Sequence, residues 1–238
     1  MITVHHLGIS QSERIVWLFE ELGIEYKLVN HTRAPMMAPD SLKSVPGNKT
    51  GKSPFIEDSD AGITLSESAA ICDYITRKYG NGKLVLEPSS PDFSHFMYWF
   101  HYANGSFQPA FSLSMIVNLI PDLPEDSMVK HLSQNRLNAA LKLMNDRLET
   151  NKWLAGDQFT IADIMSVYSA TTQRYWGPAV SYKEYPNITR WLKDCAARPG
   201  YQRAREKGDP EMKDLIDEDA PETSLLVTDG VNAGHWKK

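Results

Sequence analysis

The sequence predicts a small α/β domain followed by an all-helical domain. Three observations lead there. Strand patterns stop at Leu65, helix-period apolar stripes dominate from Phe93 onward, and the stretch between holds Gly80, Gly82, Pro88 and Pro91, a linker composition. At 238 residues the chain can hold one large domain or two small ones, at roughly 150 residues per domain.

Ile2 to Leu7 is a short apolar-rich run and reads as a strand. Ser10 to Gly23 reads as a helix, because Ile15, Leu18, Phe19 and Leu22 recur at i, i+3, i+4 and i+7. Gly23 follows the last of them, where a left-handed C-terminal glycine belongs. Glu25 to Val29 alternates Tyr26 and Leu28 as a second strand. Asn30 to Asn48 holds Pro35, Pro39 and Pro46, so it reads as loop with a short helix around Asp40–Val45. Pro54–Glu57 and Ile63–Leu65 flank Asp58–Gly62, a hairpin signal. Ser66 to Tyr79 is helical again, with Ile71, Tyr74 and Ile75 on one face. Beyond the linker, Phe93–Ile120, Glu125–Asn151, Ile161–Tyr175 and Asn187–Arg198 all read as helices. Thr160 and Asp163 form a carboxylate variant of the capping box, with Phe159 and Ile164 as its hydrophobic staple. The expected organisation is an α/β domain over 1–82, a helical domain over 93–207 and an acidic tail over 208–238.

Composition excludes several classes. Apolar residues at 42% and charged residues at 23% are ordinary for a globular chain and argue against disorder. Two cysteines, Cys72 and Cys195, make neither a disulfide framework nor a four-thiolate zinc site, and no metal is expected. A net charge of −5 argues against nucleic acid as partner. No apolar run approaches the roughly 18 residues of a membrane span. The segment Met1–His6 lacks the basic and apolar regions of a signal peptide, so the expectation is a cytoplasmic protein. Between Asp209 and Glu222, seven acidic residues stand against Lys213 alone, which reads as a solvated tail. Within it, Leu225-Leu226-Val227 and Trp236 point to partial docking.

Three segments of the first domain carry candidate chemistry. In Leu7–Arg14, Ser10 sits at a helix N-terminus, either as an anion-facing hydroxyl or as the N-cap of an S-x-x-E box with Glu13. In Gly51-Lys52-Ser53-Pro54-Phe55, a cis Ser53–Pro54 bond would leave the Ser53 backbone free for an extended ligand, and Lys52 could pair with a carboxylate. A trans proline beside a surface lysine is the other reading. In Leu65–Ile71, Ser68 and the first-turn N–H groups could bind a carboxylate and Glu67 an ammonium, or both could only complement the helix dipole. Taken together, they imply a ligand with two carboxylates, one ammonium and an extended backbone: a short peptide.

In this order the motifs resemble the cytosolic glutathione transferases. His6-Leu7, Ser10–Leu18 and Glu20–Gly23 are similar to the fungal and bacterial branch of that family. Gly51-Lys52-Ser53-Pro54 and Glu67-Ser68-Ala69-Ala70-Ile71 are similar to its glutathione-site motifs. The resemblance implies an α/β thioredoxin-like N-terminal domain plus an all-α C-terminal helical domain, acting as a homodimer. It implies that Ser10 hydrogen-bonds the glutathione sulfur, with Ser12 the other hydroxyl in range. By the same resemblance Lys52 pairs with the glycine carboxylate, and Ser53 before cis-Pro54 holds the cysteinyl backbone. Glu67 and Ser68 hold the γ-glutamyl end. Tyr98, His101, Tyr102, Asn104, Phe107, Gln108 and Phe111, on the first long helix, are candidates for the electrophile pocket, with core packing the other reading of the stripe. His101 reads as an interior histidine.

The implied reaction is attack of glutathione thiolate on a small hydrophobic electrophile. A glutathione-dependent cis–trans isomerase of a conjugated metabolite, as in specialised metabolism, would use the same residues. A non-catalytic binding module of this fold should lose them, and Lys52, Pro54, Glu67 and Ser68 are all present. Thiol–disulfide relatives carry cysteine where Ser10 or Ser12 stands, whereas Cys72 and Cys195 fall within predicted helices and read as packing residues.

Overall fold

The computed structural model describes residues 1–238. Its first half alternates β1 (Ile2–Leu7), α1 (Glu13–Leu22), β2 (Tyr26–His31), α2 (Asp40–Lys43), β3 (Phe55–Asp58), β4 (Ile63–Ser66) and α3 (Ser68–Tyr79). The sheet order is β2-β1-β3-β4. β1 and β2 are parallel, joined through α1, with Val4 opposite Leu28. β3 runs antiparallel to both neighbours, with Ile56 opposite Val4 and Leu65. Gly23 takes the left-handed conformation and its N–H closes α1 on the Phe19 carbonyl, which the residue type makes inexpensive.

The second half is helical: α4 (Phe93–Tyr102), a π-turn (Ala103–Phe107), α5 (Gln108–Asn118), α6 (Met128–Thr150), α7 (Ile161–Ala170), α8 (Gln173–Trp176), α9 (Pro186–Ala196) and α10 (Pro199–Gly208). The helix expected over Phe93–Ile120 therefore contains a π-turn, a feature often found at functional sites. The helix expected over Ile161–Tyr175 stops at Ala170 and resumes as α8. α10 begins with Pro199 in its first turn, where the missing N–H costs nothing. α7 has the expected cap. Thr160 Oγ1 accepts from the Ala162 N–H at 3.2 Å, and Asp163 Oδ2 accepts from the Thr160 N–H at 3.0 Å.

One apolar core crosses both halves, from Ile2 and Val4 through Ile15, Leu18 and Phe19 to Ile164, Trp191 and Leu192. The boundary is charged. Glu21 makes a two-pronged pair with Arg198 at 2.9 and 2.8 Å, and Glu20 meets Arg203 at 3.0 Å and Lys207 at 2.6 Å. Thus α1 is clasped by α10 and the turn before it.

Residues 209–238 differ from the solvated tail that their charge suggests. Met212 and Leu225 are buried in a second small core with Ile9, Tyr175 and Trp176, and Trp236 packs at its edge. No helix is long and apolar enough to cross a membrane.

Candidate active site

The loop between β1 and α1 is the centre of the site. Ser10 is buried, and its hydroxyl lies 2.7 Å from the Leu7 carbonyl and 2.8 Å from Ser12 Oγ. The S-x-x-E capping box does not form. α1 starts at Glu13 with no side-chain cap, and the Glu13 carboxylate turns away to Thr172 (2.6 Å) and Arg205 (3.0 Å). The Ser10 hydroxyl instead accepts the Ser12 N–H at 3.2 Å in the turn before α1.

The loop is held in a costly shape. Ile9 has φ +51°, rare for a β-branched residue, and strain of this kind concentrates at functional sites. Three groups from elsewhere grip its peptide. Asp209 Oδ1 accepts the Ile9 N–H at 2.9 Å, while Trp176 Nε1 and Arg33 both donate to its carbonyl at 3.0 Å. The Arg33 guanidinium also lies over the Trp176 ring at 4.4 Å.

Lys52 and Ser53 approach from the loop before β3. The Ser53–Pro54 peptide is cis. The Ser53 hydroxyl donates to the His5 carbonyl at 2.9 Å, and its backbone N–H and C=O have no backbone partner. Asn48 holds the Lys52 carbonyl at 3.1 Å, which sets the turn. Lys52 is exposed and makes no ion pair. Glu67, also exposed and unpaired, precedes α3 with φ +71°, a second left-handed residue. Ser68 opens α3 and is buried.

A residue that sequence reasoning passed over completes the site. Arg14 is fully buried, and every partner is neutral. It donates to Ser68 Oγ (3.1 Å), Gln11 Oε1 (3.2 Å), Asn104 Oδ1 (3.2 Å) and Gln108 Oε1 (3.0 Å). Its Nε has no partner. Burial pulls its pKa down to about 10, so it stays charged at neutral pH. A buried cation ringed only by neutral acceptors is an incomplete electrostatic set and suits an arriving carboxylate. The only signal for it in the sequence was one cation inside the apolar run Ile15–Phe19 and its neighbours.

The π-turn brings Asn104 and Gln108 to Arg14, and Asn104 Nδ2 reaches Ser68 Oγ at 3.4 Å. The other members of the aromatic stripe are corrected. Phe107 and Phe111 are fully buried and fill the helical core. Tyr102 is half-buried, stacks near Phe107 and donates to the Ala140 carbonyl on α6 at 3.3 Å. His101 is exposed rather than interior. Helical period put these residues on one helix but could not say which of them face the cleft.

Chemically, the site offers a free cation, a buried guanidinium behind a serine, a free peptide edge, a free carboxylate and a hydroxyl at a helix start. Comparison with known proteins gives the family. Residues 10–78 match the model of the glutathione S-transferase N-terminal domain, and 113–199 that of the C-terminal domain. Glutathione S-transferase 3 of Schizosaccharomyces pombe is 33% identical over 221 residues, covering 87% of this chain and 88% of its own. A solved glutathione S-transferase from Actinobacillus pleuropneumoniae is 29% identical with TM-score 0.76, covering 88% of this chain and 93% of that one. One from Burkholderia graminis, solved with two glutathione molecules per subunit, shares the fold at 23% identity and TM-score 0.69, covering 87% and 88%. The chain belongs to the glutathione S-transferase family.

Proposed function

We propose that this protein binds glutathione and directs its thiolate at a small hydrophobic electrophile. The observation that carries the reading is that hydrogen bonds tie the three segments to the end of β1 and the start of α1: Ser10 to Leu7, Ser53 to His5, and Arg14 to Ser68. Lys52 takes the glycine carboxylate. Ser53, through its backbone, takes the cysteinyl unit. Glu67 takes the γ-glutamyl ammonium. Ser68, backed by Arg14 and the first N–H groups of α3, takes the γ-glutamyl carboxylate. Ser10 stands at the start of α1 and donates a hydrogen bond to the sulfur.

A free thiol with pKa about 8.5 is about 3% thiolate at pH 7. Ionisation therefore contributes at most ~30-fold, less the nucleophilicity lost as pKa falls. Proximity of the bound electrophile supplies the remainder. Conjugation and thiolate-assisted cis–trans isomerisation use the same residues and differ in whether the adduct eliminates, so mass analysis of products separates them. We also propose a homodimer, a reading supported by exposed Tyr98, Ile116, Leu119 and Leu132 and tested by light scattering.

The test is a titration of thiolate ultraviolet absorbance against pH in the glutathione complex. The expected result is a bound thiol pKa well below that of free glutathione. Ser10→Ala should raise it and cut turnover about 10-fold or more. A Ser10→Ala variant with wild-type thiol pKa and turnover would overturn the assignment of the sulfur to Ser10.

A further inference from the structure

The Ser10 hydroxyl is the open end of a hydrogen-bonded chain that runs inward. Ser10 Oγ lies 2.8 Å from Ser12 Oγ, Ser12 Oγ lies 2.8 Å from His6 Nδ1, and His6 Nε2 lies 3.0 Å from Asp209 Oδ2. Ser12 is fully buried, and the His6 and Asp209 side chains are 1% and 5% exposed. We propose that His6 is the proton acceptor for the glutathione thiol, reached through the Ser12 and Ser10 hydroxyls and fixed in that role by Asp209. The proposal rests on the reading that Ser10 faces the sulfur. Both His6 and Asp209 lie outside the segments matched by the family models.

The directions of the bonds follow from donor and acceptor counting. Ionised Asp209 accepts only, so His6 carries its proton on Nε2 and presents the Nδ1 lone pair to Ser12. Ser12 Oγ accepts the Leu7 N–H at 3.0 Å and can accept the Ser10 hydroxyl on its second lone pair. Its single proton then points at His6 Nδ1. Without substrate the Ser10 proton rests on the Leu7 carbonyl, which both hydroxyls can reach.

The transfer balances. Ser10 Oγ takes the proton as the S–H bond breaks and passes its own to Ser12 Oγ. Ser12 passes its own to His6 Nδ1. The products are thiolate and imidazolium, both serines are neutral again, and the new Ser10 O–H faces the sulfur as a donor. When product has left, the imidazolium returns the proton to solvent by the same path.

Charged groups face the chain from several packed elements. Asp209 at the end of α10, Glu13 on α1 and Glu211 and Asp214 in the tail face the cluster, against Arg205 on α10, Arg14 on α1, Arg33 after β2 and Lys237 in the tail. His31 on β2 is a further titratable neighbour; burial and the nearby His5 and His6 lower its pKa. Burial works against an ionised Asp209, yet His6, Arg205 and the Ile9 N–H hold its pKa at about 2.

The experiment compares the full chain with His6→Asn, Ser12→Ala, Asp209→Asn and Ser10→Ala. Two quantities are read: the bound thiol pKa by ultraviolet titration, and the protons released on glutathione binding, by calorimetry in buffers of different ionisation heat. S-methylglutathione, which has no thiol, serves as the folding control. The expected result is thiolate at neutral pH with well under one proton released by the wild type. His6→Asn and Ser12→Ala should bind S-methylglutathione normally, lose about 10-fold in thiolate at neutral pH, and release one proton per thiolate formed. Asp209→Asn should shift the same way by less. If His6→Asn does not bind the control, Ser12→Ala decides, because it cuts the chain and leaves His6–Asp209 in place. An unchanged thiol pKa in Ser12→Ala and in any folded His6→Asn, with one proton released by the wild type, overturns the relay. If Ser10→Ala is shifted in that case, the Ser10 reading survives alone; if it too is unchanged, both fall.

Discussion

Arg14 is the residue whose chemistry was least legible and whose effect is most specific. Its guanidinium binds only neutral oxygens from Gln11, Ser68, Asn104 and Gln108, so a substrate carboxylate behind Ser68 would be its first full counter-charge. Arg14→Met should therefore separate affinity from stability. Replacing a buried ion by an apolar side chain of similar volume is often neutral for folding, so unfolding free energy should change by about 1 kcal/mol or less. A lost charge-assisted interaction is worth about 2 kcal/mol, roughly 30-fold in the Kd for glutathione. Calorimetric titration checks it; a folded variant with wild-type affinity would make Arg14 a structural residue only. Lys52, Ser53, Glu67 and Ser68 could be singled out from sequence because each has a local warrant, a helix start or an X-Pro bond. Arg14, His6 and Asp209 have none. Their meaning comes from partners as far as 203 residues away in the chain.

At the scale of elements, local patterning found β1, α1, the β3–β4 hairpin, α3 and the capped start of α7. It missed the α7–α8 break and gave no α10, because the last predicted helix ends at Arg198 and Pro199–Gly208 offers only Tyr201 and Ala204 to set an apolar period. The α7 cap is the best place to test an element. Asp163 receives the N–H groups of Leu154 (3.0 Å) and Thr160 (3.0 Å) and the Trp191 Nε1–H (2.9 Å), so it ties α7 to α9 as well as capping it. Thr160→Ala should cost about 1 kcal/mol, read as a fall in Tm of about 2–4 °C. Burial outweighs these hydrogen bonds and pushes the Asp163 pKa up from 3.8 to about 6. A raised carboxylate pKa means that the folded state holds the proton more tightly. That contribution is full below about pH 4 and is lost as pH rises through about 6, a change of about 3 kcal/mol. Asp163→Asn removes this titration and lowers stability overall. Urea unfolding from pH 4 to 7 should show wild type losing about 3 kcal/mol relative to the variant; parallel curves would refute the shift.

At the scale of the molecule, the two halves share one core, and the chain end returns to the loop that carries Ser10. Net charge described residues 209–238 as solvated because most of their side chains are; it could not show that the few apolar ones find Ile9, Tyr175 and Trp176. Ser224 Oγ bonds the Trp176 carbonyl, and the Val231 N–H reaches the Pro35 carbonyl beside Arg33. Trp176 and Arg33 are two of the three groups that hold the Ile9 carbonyl and N–H, so the tail supports the strained loop from behind. Ending the chain after Pro221 leaves Asp209 in place and removes this support. Complete exposure of the Leu225 site alone forfeits about 1.5–3 kcal/mol, and the uncovered faces of Trp176 and Met212 add to it. A total near 3 kcal/mol corresponds to a Tm lower by about 6–12 °C in a chain of this size. If the tail does no more than cover apolar surface, the bound thiol pKa will stay where it is while Tm falls. If it holds Ile9 in the left-handed conformation, the thiol pKa rises along with the loss of Tm, because Ser10 and Ser12 lose their fixed spacing to His6. The second outcome is the expected one, and thermal unfolding beside thiolate titration of the same truncated protein distinguishes the two.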